Sequence, residues 1–163
     1  MKISATIITL NEERNIGRCI DSLQGIVDEI IVLDSNSTDN TKSICEGKGV
    51  TFVQQGWKGY SASKNHLNGL ANNEYILSID ADESLDETLK NAVLEIKMSN
   101  ESQVYSVNRI TNYCGKWIKY SGWYPDVKVR LFPKTGSYWK GDFVHETLVF
   151  DPALSTIQLD GHL

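Results

Sequence analysis

Through its first hundred residues the chain alternates short β-branched runs with stretches of helical period, and this alternation restricts the fold more than any other feature. Residues 3–10 read as a first strand. Asn11 is placed to cap a helix, with Glu12 and Glu13 suited to its positive end. Ile16, Cys19, Ile20 and Leu23 then recur at helical spacing. A second strand over 29–33 ends at Asp34, and the polar loop 34–39 leads into a short helix over about 40–46. Residues 50–54 form a third strand, 60–70 a helix and 75–79 a fourth strand. Leu85, Leu89, Ala92, Val93 and Ile96 mark an amphipathic helix, with Glu83 expected at its start.

Alternating strands and helices call for an α/β fold: a mostly parallel, Rossmann-like sheet with helices on both faces and right-handed crossovers. After Gln103 the helical period disappears and aromatic and glycine residues crowd in. Residues 104–110, 127–132, 144–150 and 155–159 read as strands of a smaller, mixed-strand half. The expected organisation is a single domain over 1–163, with a ligand-binding half at 1–100 and an aromatic-rich half at 101–163.

In such sheets ligands bind beyond the carboxyl ends of the strands, at a switch in strand order. The polar clusters after Leu10, Leu33 and Ile79 all fall at such ends. The sharpest is Asp80-Ala81-Asp82, two carboxylates one residue apart behind the apolar run 76–79. In extended backbone alternate side chains share a side, so the pair can face one point. Hard oxygen ligands there suit Mg²⁺ or Mn²⁺ held jointly with a substrate's phosphates. The plain alternative is an acidic turn before a helix.

A dinucleotide site would place G-x-G-x-x-G after the first strand, but no glycine occurs between Thr9 and Gly17, and no phosphate-binding P-loop motif is present. Asp34, at the end of the second strand, suits a hydroxyl or imino donor on a nucleoside. Asp39 fits that role or a helix cap equally well. The net charge of −5 argues against nucleic acid as a partner. Cys19, Cys45 and Cys114 are odd in number and widely spaced, which reads as reduced thiols in a cytoplasmic protein. The apolar run 3–10 is too short to span a membrane.

Thr6-Ile-Ile-Thr-Leu-Asn-Glu-Glu13, Asp34-Ser-Asn-Ser-Thr-Asp-Asn-Thr41 and Asp80-Ala-Asp82, in that order, resemble the family 2 glycosyltransferases, whose fold is the nucleotide-sugar-binding GT-A fold. The resemblance continues through Gly59-Tyr-Ser-Ala-Ser-Lys-Asn65, Trp117, Gly122-Trp-Tyr-Pro-Asp126, Arg130-Leu-Phe132 and Val144-His-Glu146. This second half is most similar to bacterial enzymes that add glucose to the inner core of lipopolysaccharide. The resemblance implies an inverting transferase moving a sugar from a nucleotide-diphosphate donor, UDP-glucose for this subfamily, to a saccharide or glycolipid hydroxyl at the inner membrane face. Thr9, Leu10, Asn11 and Glu12 would line the nucleoside pocket, with Asp34 on the base, Asp39 beside it and Lys64 near the diphosphate. Asp82 would ligate the metal, Asp80 the ribose or a metal-bound water, and Ala81 lies between them.

Inversion needs a base for the acceptor's proton, and Asp126 and Glu146 are the candidates, Asp126 preferred. His145 reads as a third metal ligand, a diphosphate contact or a structural histidine. Arg130 reads as a diphosphate partner or a bridge between strands. Trp123 and Tyr124 read as sugar-stacking or as core. Members of the subfamily continue beyond the position of Leu163 into a helical region. Two other classes share parts of the pattern: a nucleotidyltransferase, which would need a glycine- and base-rich loop absent here, and a sugar-nucleotide-binding module without chemistry.

Overall fold

The computed structural model describes residues 1–99, 101–141 and 146–163. Its main layer is a seven-stranded sheet. Four parallel strands, β1 (Ile3–Thr9), β2 (Glu29–Asp34), β3 (Thr51–Gln54) and β4 (Tyr75–Asp80), stand in the order β3-β2-β1-β4. Beyond β4 the sheet continues through β8 (Asp126–Pro133), β5 (Val104–Arg109) and β11 (Thr156–His162). β8 runs antiparallel to both β4 and β5, and β11 runs parallel to β5. Strands from both sides of residue 100 therefore share one mixed sheet.

The faces of β1 explain the layering. Ile3, Ala5 and Ile7 join a core with α1 (Ile16–Leu23), α2 (Thr41–Gly47) and α4 (Glu87–Ser99). Ile8, on the other face, joins Leu67 of α3 (Tyr60–Leu70) with Phe132 and Trp139. All seven residues of β1 are buried, as expected for a central parallel strand covered on both sides. Each fully buried Ile or Leu contributes about 1.5–3 kcal/mol over an exposed one, so helices on both faces are what hold this strand in the middle.

Several boundaries differ from expectation for local reasons. Helix α1 starts at Ile16, not after Asn11. Asn11 adopts φ 54, which asparagine tolerates, and its side-chain oxygen accepts the Thr38 N–H, so it ties two loops together instead of capping. Glu83 does not start a helix. Asp86 does, accepting the Leu89 N–H at 2.8 Å. The third expected strand of the second half, 144–150, is shorter, β10 (Thr147–Val149), and residues 144 and 145 lie outside the described residues. β10 pairs with β9 (Tyr138–Lys140), and β6 (Thr111–Tyr113) pairs with β7 (Lys116–Ile118), short hairpins without a period long enough to read. The last strand runs on to His162 by way of Gly161, whose φ is +95. A Cβ on Gly161 would lie 2.3 Å from the Leu89 nitrogen, so glycine alone lets β11 pass the start of α4.

Candidate active site

The strand order reverses between β1 and β4, and the two strands end side by side there. In register, Thr9 pairs with Asp34 on one side of β1, and Ile8 pairs with Asp80 on the other. Three of the expected positions are thus fixed by sheet pairing alone at the crevice where such folds take ligands. Thr9 is buried, and its Oγ1 has no hydrogen-bond partner among the described residues. A buried hydroxyl without a partner costs stability, so it marks a position where a ligand atom would be favoured.

Asp34 is fully buried. It accepts the Ser37 N–H at 2.9 Å and the Ser37 hydroxyl, and Gln54 Nε2 at 3.3 Å. The carboxylate therefore shapes the loop after β2 while facing the strand ends. Asn11 and Glu12 donate their backbone N–H groups to Ser37 Oγ and Thr41 Oγ1, closing this loop onto the one after β1. Asp39 accepts the N–H of Thr41, the Thr41 hydroxyl and the N–H of Glu13. Both of its oxygens thus serve the loops themselves, while the N-cap position of α2 is Asn40. Leu10 is half exposed at the rim, and Ala81 is buried.

The acidic pair divides sharply. Asp80 is held by Lys64 at 3.3 Å and Arg130 at 3.0 Å. Burial alone would push its carboxyl up, but Arg130 and then Lys64 outweigh it and hold the group below the usual carboxylate range. Asp82 is exposed, and its carboxylate has no partner among the described residues. Only its carbonyl is engaged, accepting from Arg18 at 2.9 Å. Among the described residues no cluster of three metal-ligating side chains occurs. The donor set still fits Mg²⁺ or Mn²⁺, which bind through one or two carboxylates and a substrate's phosphates. Asp82 offers the free carboxylate, and Asp80 stands two residues before it, at the end of β4.

Lys64 is almost fully buried, 4.8 Å from the Trp139 ring centroid, and its ammonium contacts Glu146 at 2.8 Å as well as Asp80. Asn65 anchors this helix to β9 by exchanging hydrogen bonds with the Trp139 backbone. The structure thereby brings Lys64, Glu146 and Asp80 together at the carboxyl end of β4. Asp126 stands apart from them, at the start of β8, opposite Arg109 in the register. Burial would raise its carboxyl, yet hydrogen bonds and charge from Lys128 and Arg109 hold it below the usual range. Trp123 is half exposed, edge-on to Tyr113, while the Tyr124 hydroxyl lies 3.1 Å from His162 Nε2. His145 lies outside the described residues.

The sequence reading missed Glu83. It is buried, accepts Arg130 at 2.6 Å and the Asp80 N–H at 2.9 Å, and lies 3.7 Å from Arg109. Burial, reinforced by the Asp80 charge, pushes its carboxyl above the ordinary value. Arg130 is buried as well. Burial opposes its charge, but the two carboxylates keep it cationic. Of the two roles open to Arg130, bridging strands is the one its contacts show. A buried guanidinium beneath the acidic turn holds Asp80 and Glu83 in place.

Residues 4–150 match the model of the family described as Glycosyl transferase family 2. The chain belongs to this family. A glycosyltransferase of Rickettsia felis is 43% identical over 109 residues, which span 67% of this chain and 38% of the relative. The lipopolysaccharide core biosynthesis glycosyltransferase LpsC of Rhizobium meliloti is 34% identical over 109 residues, covering 64% of this chain and 40% of that protein. The chain thus spans well under half the length of these curated relatives. Among solved structures, Staphylococcus aureus TarS superposes with TM-score 0.60 at 24% identity, covering 82% of this chain and 28% of that one. Glucosyl-3-phosphoglycerate synthase from Mycobacterium tuberculosis, in complex with Mn²⁺, uridine diphosphate and glucosyl-3-phosphoglycerate, superposes with TM-score 0.56 at 25% identity, covering 65% and 43%. The fold is that of the GT-A glycosyltransferases. Among the described residues no helix of this family 2 member is long and apolar enough to cross a membrane.

Proposed function

We propose that this chain carries the donor site of an inverting glycosyltransferase that moves glucose from UDP-glucose to a hydroxyl of a saccharide or glycolipid, in the assembly of a lipopolysaccharide core. The observation that carries the reading is the meeting of Thr9, Asp34 and Asp80 at adjacent strand ends, with the unpaired Asp82 carboxylate beside them. The LpsC relative supports the acceptor class, and the uridine-diphosphate complex of the mycobacterial neighbour supports the donor.

In this reading Asp34 accepts the imide N–H of the uracil, and Thr9, Leu10, Asn11 and Glu12 border the nucleoside. Asp39 steadies the same loops. Asp82 would hold a divalent cation, with Asp80 on the ribose or on water bound to that cation; the further ligand expected from the sequence, His145, lies outside the described residues. The cation supplies positive charge for the leaving diphosphate. Lys64 adds a buried ammonium next to it, and a charge placed where the transition state develops its own is worth several kcal/mol. Asp126 takes the acceptor's proton as its oxygen attacks the anomeric carbon. The pairing with Arg109 and Lys128 keeps Asp126 ionised, and the exposed Lys128 is free to yield its place to the acceptor hydroxyl. Glu146, bound to Lys64, is the second candidate and acts on the donor side.

Peripheral attachment to the cytoplasmic side of the inner membrane belongs to this proposal. Exposed Tyr113, Tyr120 and Trp123 beside Lys116 support it, because aromatic and basic side chains favour the headgroup region. The deciding experiment is calorimetric titration of UDP and GDP with and without Mn²⁺, followed by UDP-glucose turnover. Metal-dependent UDP binding is expected. Triphosphate binding in preference to diphosphate would instead point to nucleotidyl transfer.

A further inference from the structure

Thr9, Asp34 and Gln54 stand in one row across β1, β2 and β3, so the loops that leave these three strands rise side by side. They are also tied together. Asn11 accepts the Thr38 N–H, Gln54 Nε2 donates to the Asp34 carboxylate, and the Gln55 N–H donates to the Asp34 carbonyl. A Cβ on Gly56 would lie 3.8 Å from the Asn36 amide nitrogen, so the loop after β3 runs against the loop after β2. Asp34 is therefore the floor between two flanking loops. With neighbouring strands about 4.8 Å apart, β1 and β3 stand about 10 Å from each other with β2 between them.

The flanking loops each present an apolar side chain. After β1 it is Leu10, 52% exposed; after β3 it is Trp57, 48% exposed. Trp57 meets Tyr60, the first residue of α3, edge to face, with ring centroids 4.7 Å apart and planes at 85°. That contact restricts the indole without burying it, which leaves a held aromatic surface open to solvent. Gly59, at φ +93, makes the turn that brings the two rings together ahead of α3. The loops after β1, β2 and β4 (residues 10–15, 35–40 and 81–86) contain no aromatic residue. Of the four loops at the carboxyl ends of the parallel strands, the one next to Asp34 on the β3 side alone carries rings.

We infer that Trp57 is the wall on which the donor's nucleobase stacks, with Leu10 against the opposite face of the base and Asp34 at its edge. The inference rests on the donor reading proposed above. It divides the work of the slot between two residues. Asp34 selects a base by accepting a hydrogen bond from its edge. Stacking on the indole discriminates little, because every base has a π-face, so Trp57 supplies affinity and Asp34 the choice. Tyr60 is a positioning residue here: it holds the indole and does not itself touch the base.

The test titrates UDP into the full chain with Mg²⁺, by calorimetry and by proton NMR of the nucleotide, for wild type, Trp57→Ala and Trp57→Phe. Protons held over an indole face resonate upfield, so the uracil H5 and H6 lines should move upfield on binding to wild type, and the ribose lines should not. Trp57→Ala should lose that shift and bind UDP more weakly by about tenfold or more, with thermal melting close to wild type. Trp57→Phe should keep the shift and most of the affinity. UDP affinity unchanged by the alanine, an upfield shift that survives it, an upfield shift on the ribose in place of the uracil, or a loss that phenylalanine does not restore would each overturn the inference and leave the donor site standing. Failure of wild type to bind UDP would overturn the donor reading, and this inference with it.

Discussion

Arg130 of β8 and Glu83, 47 positions apart in sequence, meet at 2.6 Å beneath the acidic turn. The same guanidinium reaches Asp80 at 3.0 Å, so one buried cation holds the strand end and the turn that follows it. The turn that presents Asp82 is therefore supported from below by charge, not only by the backbone of β4.

Removing Arg130 should unfold the site before it affects chemistry. Arg130→Met leaves Glu83 and Asp80 without their shared partner, and losing one member of a buried ion group costs about 3–5 kcal/mol. Urea denaturation should show a loss of that size. Glu83→Gln, which keeps a hydrogen-bond acceptor for the guanidinium, should lose less. Equal stability of Arg130→Met and wild type would show that the network has no structural weight.

Asp80 should leave a mark on the acid side of the stability curve. Its folded pKa lies below the ordinary value of 3.8, so its contribution is present above that value and is lost as pH falls through the folded one. The stability gap between wild type and Asp80→Asn should hold from pH 7 to about 4 and close below 3.8, read from urea midpoints at each pH. A gap that persists unchanged at pH 2 would contradict the ion-paired state.

Asp82→Asn should abolish metal-linked nucleotide binding with little effect on the fold. The side chain is exposed and its carboxylate unpaired, and such surface changes usually shift stability by no more than about 0.5 kcal/mol. Calorimetry of UDP with Mn²⁺ reads the affinity, and thermal melting reads the fold. Undiminished Mn²⁺-dependent binding would remove Asp82 from the metal site.

Base preference should reside in Asp34. Asp34→Ala is expected to lower UDP affinity at least about tenfold and to erase the preference over GDP, since a buried polar group made for one partner discriminates strongly. Ser37→Ala is the control: it loosens the loop and leaves the carboxylate in place. Should both variants behave alike, Asp34 acts through loop shape alone.

The proton acceptor is separable by kinetics. Asp126→Asn should lower kcat by about a hundredfold or more with donor affinity nearly unchanged, whereas Glu146→Gln should disturb donor affinity through Lys64. The reverse pattern would exchange the two roles.

The sequence by itself determined the strands and helices of the first hundred residues and the order in which they alternate, because each rests on a local period of side chains. β1, β2, β3 and β4 end within a few residues of where β-branched runs give way to polar loops, and Thr9, Asp34 and Asp80 therefore mark strand ends in the sequence as they do in the fold. The tertiary structure decided what those ends meet. Glu83 looked like a helix-start residue since local pattern carries no burial; Asp86 makes the cap, and Arg130 buries Glu83 from a distant strand. The insertion of β8 between β4 and β5 has no local signature either, because pairing depends on which edges remain open after the parallel strands have assembled. That insertion carries Arg130 under the acidic turn and sets Asp126 against Arg109. Charge partners lie far apart along the chain and close in space, so only the folded sheet could say that Asp80 and Glu83 are held while the Asp82 carboxylate has no partner among the described residues.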